Sequence, residues 1–123
     1  LDLLAQRLDN TPSQAAAASG TRAGLERVAD VPIYASDSLV RHAPSLQLTA
    51  DARPPLAGLS SALWRQLGLQ PGDKVLISQG QAVAVLPAQE DRSLAATAVR
   101  IAAGHPATLA LGPMFGPLNV EKA

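Results

Sequence analysis

Few side chains in this sequence have the type and spacing for chemistry. His42 and His105 are its two histidines, and two imidazoles without a matching set of carboxylates or thiolates fall short of a metal-ligand set. His105 precedes Pro106 in what reads as a chain reversal, and His42 also falls in a loop, so both are expected to serve turns. Glu90-Asp91 offers adjacent carboxylates of the kind used in acid–base work, but neighbouring acidic residues in a polar turn are ordinarily just solvated. Asp73 stands at the end of a Pro-Gly turn, where its carboxylate is expected to accept backbone N–H bonds. The chain has no cysteine, which removes disulfides, thiolate nucleophiles, zinc ribbons and iron–sulphur ligation from this segment. The residues therefore point to no catalytic set and no metal site.

The elements that would position these groups are best marked by Leu67-Gly68-Leu69-Gln70-Pro71-Gly72-Asp73-Lys74-Val75-Leu76-Ile77. Gly68 suits the left-handed position just past a helix end, Pro71-Gly72 suits the corners of a type II turn, and Lys74 onward runs into strand formers. Upstream, Leu59, Leu63, Trp64 and Leu67 share one face of a helix with Ser60 as its N-cap. Downstream, strands are expected at 74–78 and 82–86 around a Gln79-Gly80-Gln81 hairpin, then at 97–101 and 118–121. Gln89-Glu90-Asp91-Arg92 reads as a polar reversal, Ala103-Gly104-His105-Pro106 as another turn, and 107–111 as a helical turn.

The first half is less patterned. Residues 1–8 place Leu1, Leu4 and Leu8 on one helical face, and the alanine run at 15–18 suits either weak helix or disorder. Residues 21–29 read as a further helical turn or two. Val31-Pro32-Ile33-Tyr34-Ala35 reads as extended because Pro32 biases its neighbour away from helix. Residues 38–43 suit one helical turn, and Leu46-Gln47-Leu48-Thr49 alternates like a strand. No internal repeat stands out. The sum is about six strands with two or three short helices: a mainly β barrel over residues 31–123, preceded by a flexible or weakly helical linker over 1–30.

Composition sets further limits. The chain has 123 residues, 47% of them apolar, and a formal net charge of zero, as expected of one globular domain. Its aromatics are Trp64, Tyr34 and Phe115 alone, so small aliphatic side chains must fill the interior, with Trp64 expected as a buried anchor. The longest apolar runs fall far short of the ~20 residues of a membrane-spanning helix. The chain opens on Leu1 and Met114 is its one methionine, so it reads as a piece of a longer parent.

The helix ending in Leu67-Gly68-Leu69, the Pro71-Gly72-Asp73-Lys74-Val75 turn and the later Val99-Arg100-Ile101-Ala102-Ala103-Gly104 together resemble the molybdopterin-dinucleotide-binding domain, the double-psi β-barrel of the molybdopterin oxidoreductase superfamily. The resemblance covers roughly residues 33 to 123. Within that superfamily, Tyr34, the stretch Leu39-Val40-Arg41-His42-Ala43-Pro44-Ser45-Leu46-Gln47-Leu48-Thr49, Gly104-His105-Pro106-Ala107-Thr108 and Leu111-Gly112-Pro113-Met114-Phe115-Gly116-Pro117 look most like the C-terminus of the large iron–sulphur subunit of bacterial NADH:quinone oxidoreductase, respiratory complex I.

That resemblance implies a parent with iron–sulphur clusters near its own N-terminus, passing electrons from NADH towards quinone with coupled ion translocation, on the cytoplasmic side of the bacterial inner membrane. It implies a non-catalytic structural domain without molybdopterin, packed against the rest of its subunit and other peripheral-arm subunits, and monomeric when isolated. In cofactor-loaded relatives the region matching residues 41–49 holds the pterin and nucleotide. Here Arg41 could pair with a phosphate, and Ser45, Gln47 and Thr49 could add donors and acceptors; the same residues could equally cap a turn. Gly68, Pro71, Gly72, Asp73 and Trp64 are expected to be structural. The alternative is the dinucleotide-holding domain of a working molybdopterin oxidoreductase. Nucleic-acid binding is a rival of another class, since Gly-Asp-Lys-Val turns also occur in small nucleic-acid-binding barrels. Charge opposes it: from Ser60 onward there are five basic and four acidic residues, with one Trp and one Phe.

Overall fold

Alternation of side chains across a pleated strand explains the architecture. In a computed structural model that describes residues 23–123, Val75, Ile77 and Gln79 point inward from one strand, and Ala84, Leu86 and Ala88 from the next. Six such strands close into a barrel: β1 (Leu25–Val28), β2 (Ala57–Leu59), β3 (Lys74–Gln79), β4 (Ala82–Glu90), β5 (Ala98–Ile101) and β6 (Phe115–Lys122), in the order β1-β5-β2-β4-β3-β6. Four short helices accompany them: α1 (Ile33–Ser36), α2 (Ser38–Arg41), α3 (Pro44–Gln47) and α4 (Ser61–Gln66), with a 3-10 turn at Leu109–Leu111. The described chain is mainly β, and its interior is filled by Leu59, Val75, Ile77, Leu86, Val99, Ile101, Leu111, Leu118 and small alanines.

Two of the six pairings are parallel, β1 with β5 and β2 with β4; the others are antiparallel. Moving every strand label by three positions reproduces the whole pattern. Parallel β1/β5 maps onto parallel β4/β2, antiparallel β1/β6 onto antiparallel β4/β3, and β2/β5 and β3/β6 each map onto themselves. The path of the chain is thus twofold-symmetric in topology, although the sequence shows no matching repeat.

Local chemistry accounts for the best-marked segment. Ser60 caps α4, its Oγ accepting from Leu63 N at 3.3 Å. Past the helix, Leu69 N donates to Trp64 O and Gly68 N to Arg65 O, both at 3.2 Å, with Gly68 at φ +60°: a Schellman closure whose left-handed position glycine favours. The type II turn follows, Asp73 N donating to Gln70 O at 3.0 Å with Gly72 at φ +98°. Gly80 at φ +61° then joins β3 to β4 in a two-residue loop, Gln79 facing Ala82, the geometry of a type II′ turn.

Several expectations are corrected. Residues 25–28 form strand β1 and not a helical turn, so the barrel begins ahead of Val31. Pro32 is extended but serves as the N-cap of helix α1, where a strand was expected across Ile33-Tyr34-Ala35. Leu46-Gln47-Leu48-Thr49 belongs to α3 and the turn after it; Pro44 at the first helical position presets the helix, and no strand lies alongside. Gln89 and Glu90 still belong to β4, which runs through Pro87 and exchanges β3 for β2 as its neighbour there. Trp64, expected as a buried anchor, is only partly buried at the margin of the core, whereas Leu59, Ile77, Ile101 and Leu111 are almost wholly enclosed. The readings for residues 1–8 and 15–18 lie outside the described residues.

Candidate functional site

Two adjoining clefts that share Pro32, Asp51 and Arg53 carry many of the polar side chains among the described residues. The first, about 490 Å³, lies between the segment after β1, the 51–58 stretch, the end of β4 and β5. The Glu90-Asp91 pair lines it, and both carboxylates are engaged. Glu90 Oε1 accepts from Ser61 Oγ at 2.6 Å and Oε2 lies 3.7 Å from Arg92 Nε. Asp91 Oδ1 accepts from Ser93 Oγ at 2.6 Å and Ser93 N at 2.9 Å, while Oδ2 meets Arg100 Nη1 at 2.7 Å. The hydrogen bonds from Ser93, then the charge of Arg100, hold the Asp91 carboxyl below its ordinary value. A carboxylate so stabilised in its ionised form is a poor general acid near neutral pH.

The second cleft, about 640 Å³, opens between the α1–α3 segment and the 104–109 loop. It brings together Tyr34, Arg41, His42, Gln47, Arg53 and His105, with Asp51. The two histidines, assigned to separate turns by the sequence, face one space. His105 does serve its turn, Nδ1 accepting from Ala107 N at 3.1 Å. Among the described residues no group of three or more histidines and carboxylates could hold a metal ion.

The four residues singled out for a nucleotide behave differently from one another. Gln47 Nε2 donates to Tyr34 O at 3.0 Å and Val40 O at 2.9 Å, fastening α3 to α1 and α2. Thr49 Oγ1 donates to Leu46 O at 2.7 Å. Ser45 is exposed on α3, and Arg41 is exposed in the last turn of α2. Of the four, Arg41 and Gln47 line the cleft and Ser45 and Thr49 do not.

The turn residues are tied into the barrel. Asp73 Oδ2 accepts from Gln70 N at 2.9 Å and meets Lys122 Nζ at 2.7 Å, which fastens the Pro71-Gly72 turn to the end of β6. The Lys122 hydrogen bond, followed by that of Gln70, lowers the Asp73 pKa.

One buried charged group escaped sequence reading. Arg27, on the inward side of β1, is 1% exposed. Its Nη1 donates to Gln79 Oε1 at 3.2 Å and Pro113 O at 2.9 Å, and its Nη2 to Ala102 O at 3.1 Å. Reading residues 21–29 as a helical turn hid it, because Arg27 turns inward only through the alternation of a strand.

Comparison with models of known protein families and with curated proteins found no match to this chain. Among the described residues no helix is long and apolar enough to cross a membrane.

Proposed function

We propose that this chain is a double-psi barrel from the C-terminal part of a complex I-like iron–sulphur subunit, acting as a structural and interaction domain and not as a reaction centre. The observation that carries the reading is the strand path: a closed six-strand barrel whose pairings, two of them parallel, recur under a three-strand shift. Such interlocked halves are what a double-psi barrel requires. The absence of a reaction centre is supported by side chains already engaged elsewhere: Glu90 and Asp91 in ion pairs, and Gln47 and Thr49 on backbone carbonyls. The alternative, a barrel holding a molybdopterin dinucleotide, has only Arg41 left as a phosphate partner from its expected set, and one guanidinium makes no phosphate cradle.

Purification of the tagged parent gene product from its native membranes tests the reading. The expected result is co-purification with an NADH-oxidising, quinone-reducing assembly, with iron and no stoichiometric molybdenum. Recovery as a separate protein carrying one molybdenum per chain would overturn it.

A further inference from the structure

Helices α1, α2 and α3 contain no buried residue. This arm is held by its own hydrogen bonds: Asp37 Oδ1 accepts from Leu39 N and Val40 N, both at 2.9 Å, and Gln47 bridges the three turns. It nevertheless presents large apolar side chains to solvent. Ile33 is 58% exposed, Leu39 82% and Leu48 88%, and across the second cleft Leu109 is 71% exposed. Ordering a segment costs conformational entropy that burial normally repays, and this arm buries little in the barrel. Two guanidinium groups, Arg41 and Arg53, line the cleft with a single carboxylate, Asp51. Arg92 and Arg100 of the neighbouring cleft have carboxylate partners, whereas Arg41 and Arg53 make no ion pair among the described residues.

Resting on the reading of this domain as an interaction module, we propose that the cleft between the α1–α3 arm and the 104–109 loop seats an acidic, leucine-bearing peptide segment of a neighbouring chain. Carboxylates of the partner would meet Arg41 and Arg53, whose guanidinium forks suit them. Its apolar side chains would cover Leu109, the exposed leucine that lines the cleft. Arginine beside exposed leucine, with few opposing charges, is the composition of a protein contact more than of a small-ligand pocket.

The test uses the whole chain and a short fluorescein-labelled peptide alternating glutamate with leucine, read by fluorescence anisotropy. Saturable binding is expected, weakened about 10-fold by combined Arg41→Glu and Arg53→Glu and weakened as salt rises. Arg41→Glu alone should give part of the loss, which guards against any disturbance from Arg53, whose Nε bonds Ala50 O. Leu109→Ser should weaken binding too, and Arg92→Glu should leave it unchanged. Equal affinity in the double variant, equal binding of a lysine–leucine peptide, or complete displacement by inorganic pyrophosphate would overturn the proposal, the last in favour of a small phosphate site. Peptide binding and recovery in the NADH-oxidising assembly are separate readouts, so either idea can fail while the other stands.

Discussion

Arg27 on β1 and Gln79 on β3 stand 52 positions apart in sequence and meet through a 3.2 Å hydrogen bond inside the barrel. The strand between them is β6, and its residue in register with Arg27 is Gly116. A Cβ on Gly116 would make ordinary van der Waals contact with Gln79 Nε2 at 3.6 Å, so this position sits directly against the pair. Gln79 Nε2 and Arg27 Nη1 also converge on Pro113 O, at 3.0 and 2.9 Å. Strands β1 and β3 and the loop before β6 are thereby fastened at one point. The guanidinium has amide and carbonyl partners but no carboxylate among the described residues, and its buried Nε has no partner. Burial accordingly lowers the Arg27 pKa.

The polar clasp sets up opposing effects on stability. Arg27→Ala would leave Ala102 O and Gln79 Oε1 without this donor and open a cavity, a loss of roughly 2–4 kcal/mol. Arg27→Met would fill most of the space and relieve the buried charge, so it should cost clearly less. Urea unfolding of the two variants checks this. A methionine variant as unstable as the alanine variant would show that the hydrogen bonds dominate over desolvation.

Gly72 and Gly58 should fail for different reasons. A Cβ on Gly72 meets nothing within 4 Å, but its φ of +98° is one that side chains rarely adopt. Gly72→Val should therefore cost about 1–2 kcal/mol, all of it backbone strain, and lower the melting temperature without unfolding the barrel. On Gly58 a Cβ would sit 3.2 Å from Arg100 Cβ, its partner on β5. Gly58→Val should thus disturb the β2–β5 pairing, with chemical-shift changes on β5 that Gly72→Val does not produce. Unchanged melting of Gly72→Val would contradict the turn geometry.

These differences show what the sequence could and could not convey. The α4 cap at Ser60, the stop at Gly68, the Pro71-Gly72 turn and the Gly80 hairpin were legible because each rests on a residue whose own backbone or side chain dictates the turn. Strand β1 was not, since Arg27 occupies an inward position and breaks the alternation that Leu25 begins. Nor was β2: it has three residues, one of them Gly58, and exists through pairing with β4 and β5. Leu46-Gln47-Leu48-Thr49 imitated a strand over too few residues to distinguish alternation from a helical turn. Both histidines were visible, but their meeting in one cleft depends on how the 104–109 loop folds back towards the arm.

Asp73 gives a pH signature. Its pKa is lowered in the fold by Lys122 and Gln70, so its contribution is fully present above the ordinary carboxylate value of about 3.9 and is lost as pH falls through the lowered folded value. Asp73→Asn should be less stable than the parent near neutral pH, and the gap should close as pH drops below about 4. Urea midpoints across that range check the sign. A gap that stays constant with pH would mean that the Lys122 contact contributes no charge-dependent stability.

Removal of β1 makes the sharpest demand on the fold. A chain beginning at Val31 would lack the strand that joins β5 to β6, in parallel with the first and antiparallel with the second. Both edges would be bare, and exposed edges recruit other chains. The acceptors Gln79 Oε1 and Ala102 O would lose Arg27, and Leu25 would no longer cover the core beside Leu118. With two sheet seams opened at once, the expected outcome is loss of a cooperative melt by circular dichroism and aggregates on gel filtration, whereas the full chain should melt in a single transition. If the shortened chain melted as cooperatively as the full one, Leu25–Val28 would be an ornament on a barrel that closes without it, and the strand path from which the function is inferred would have to be redrawn.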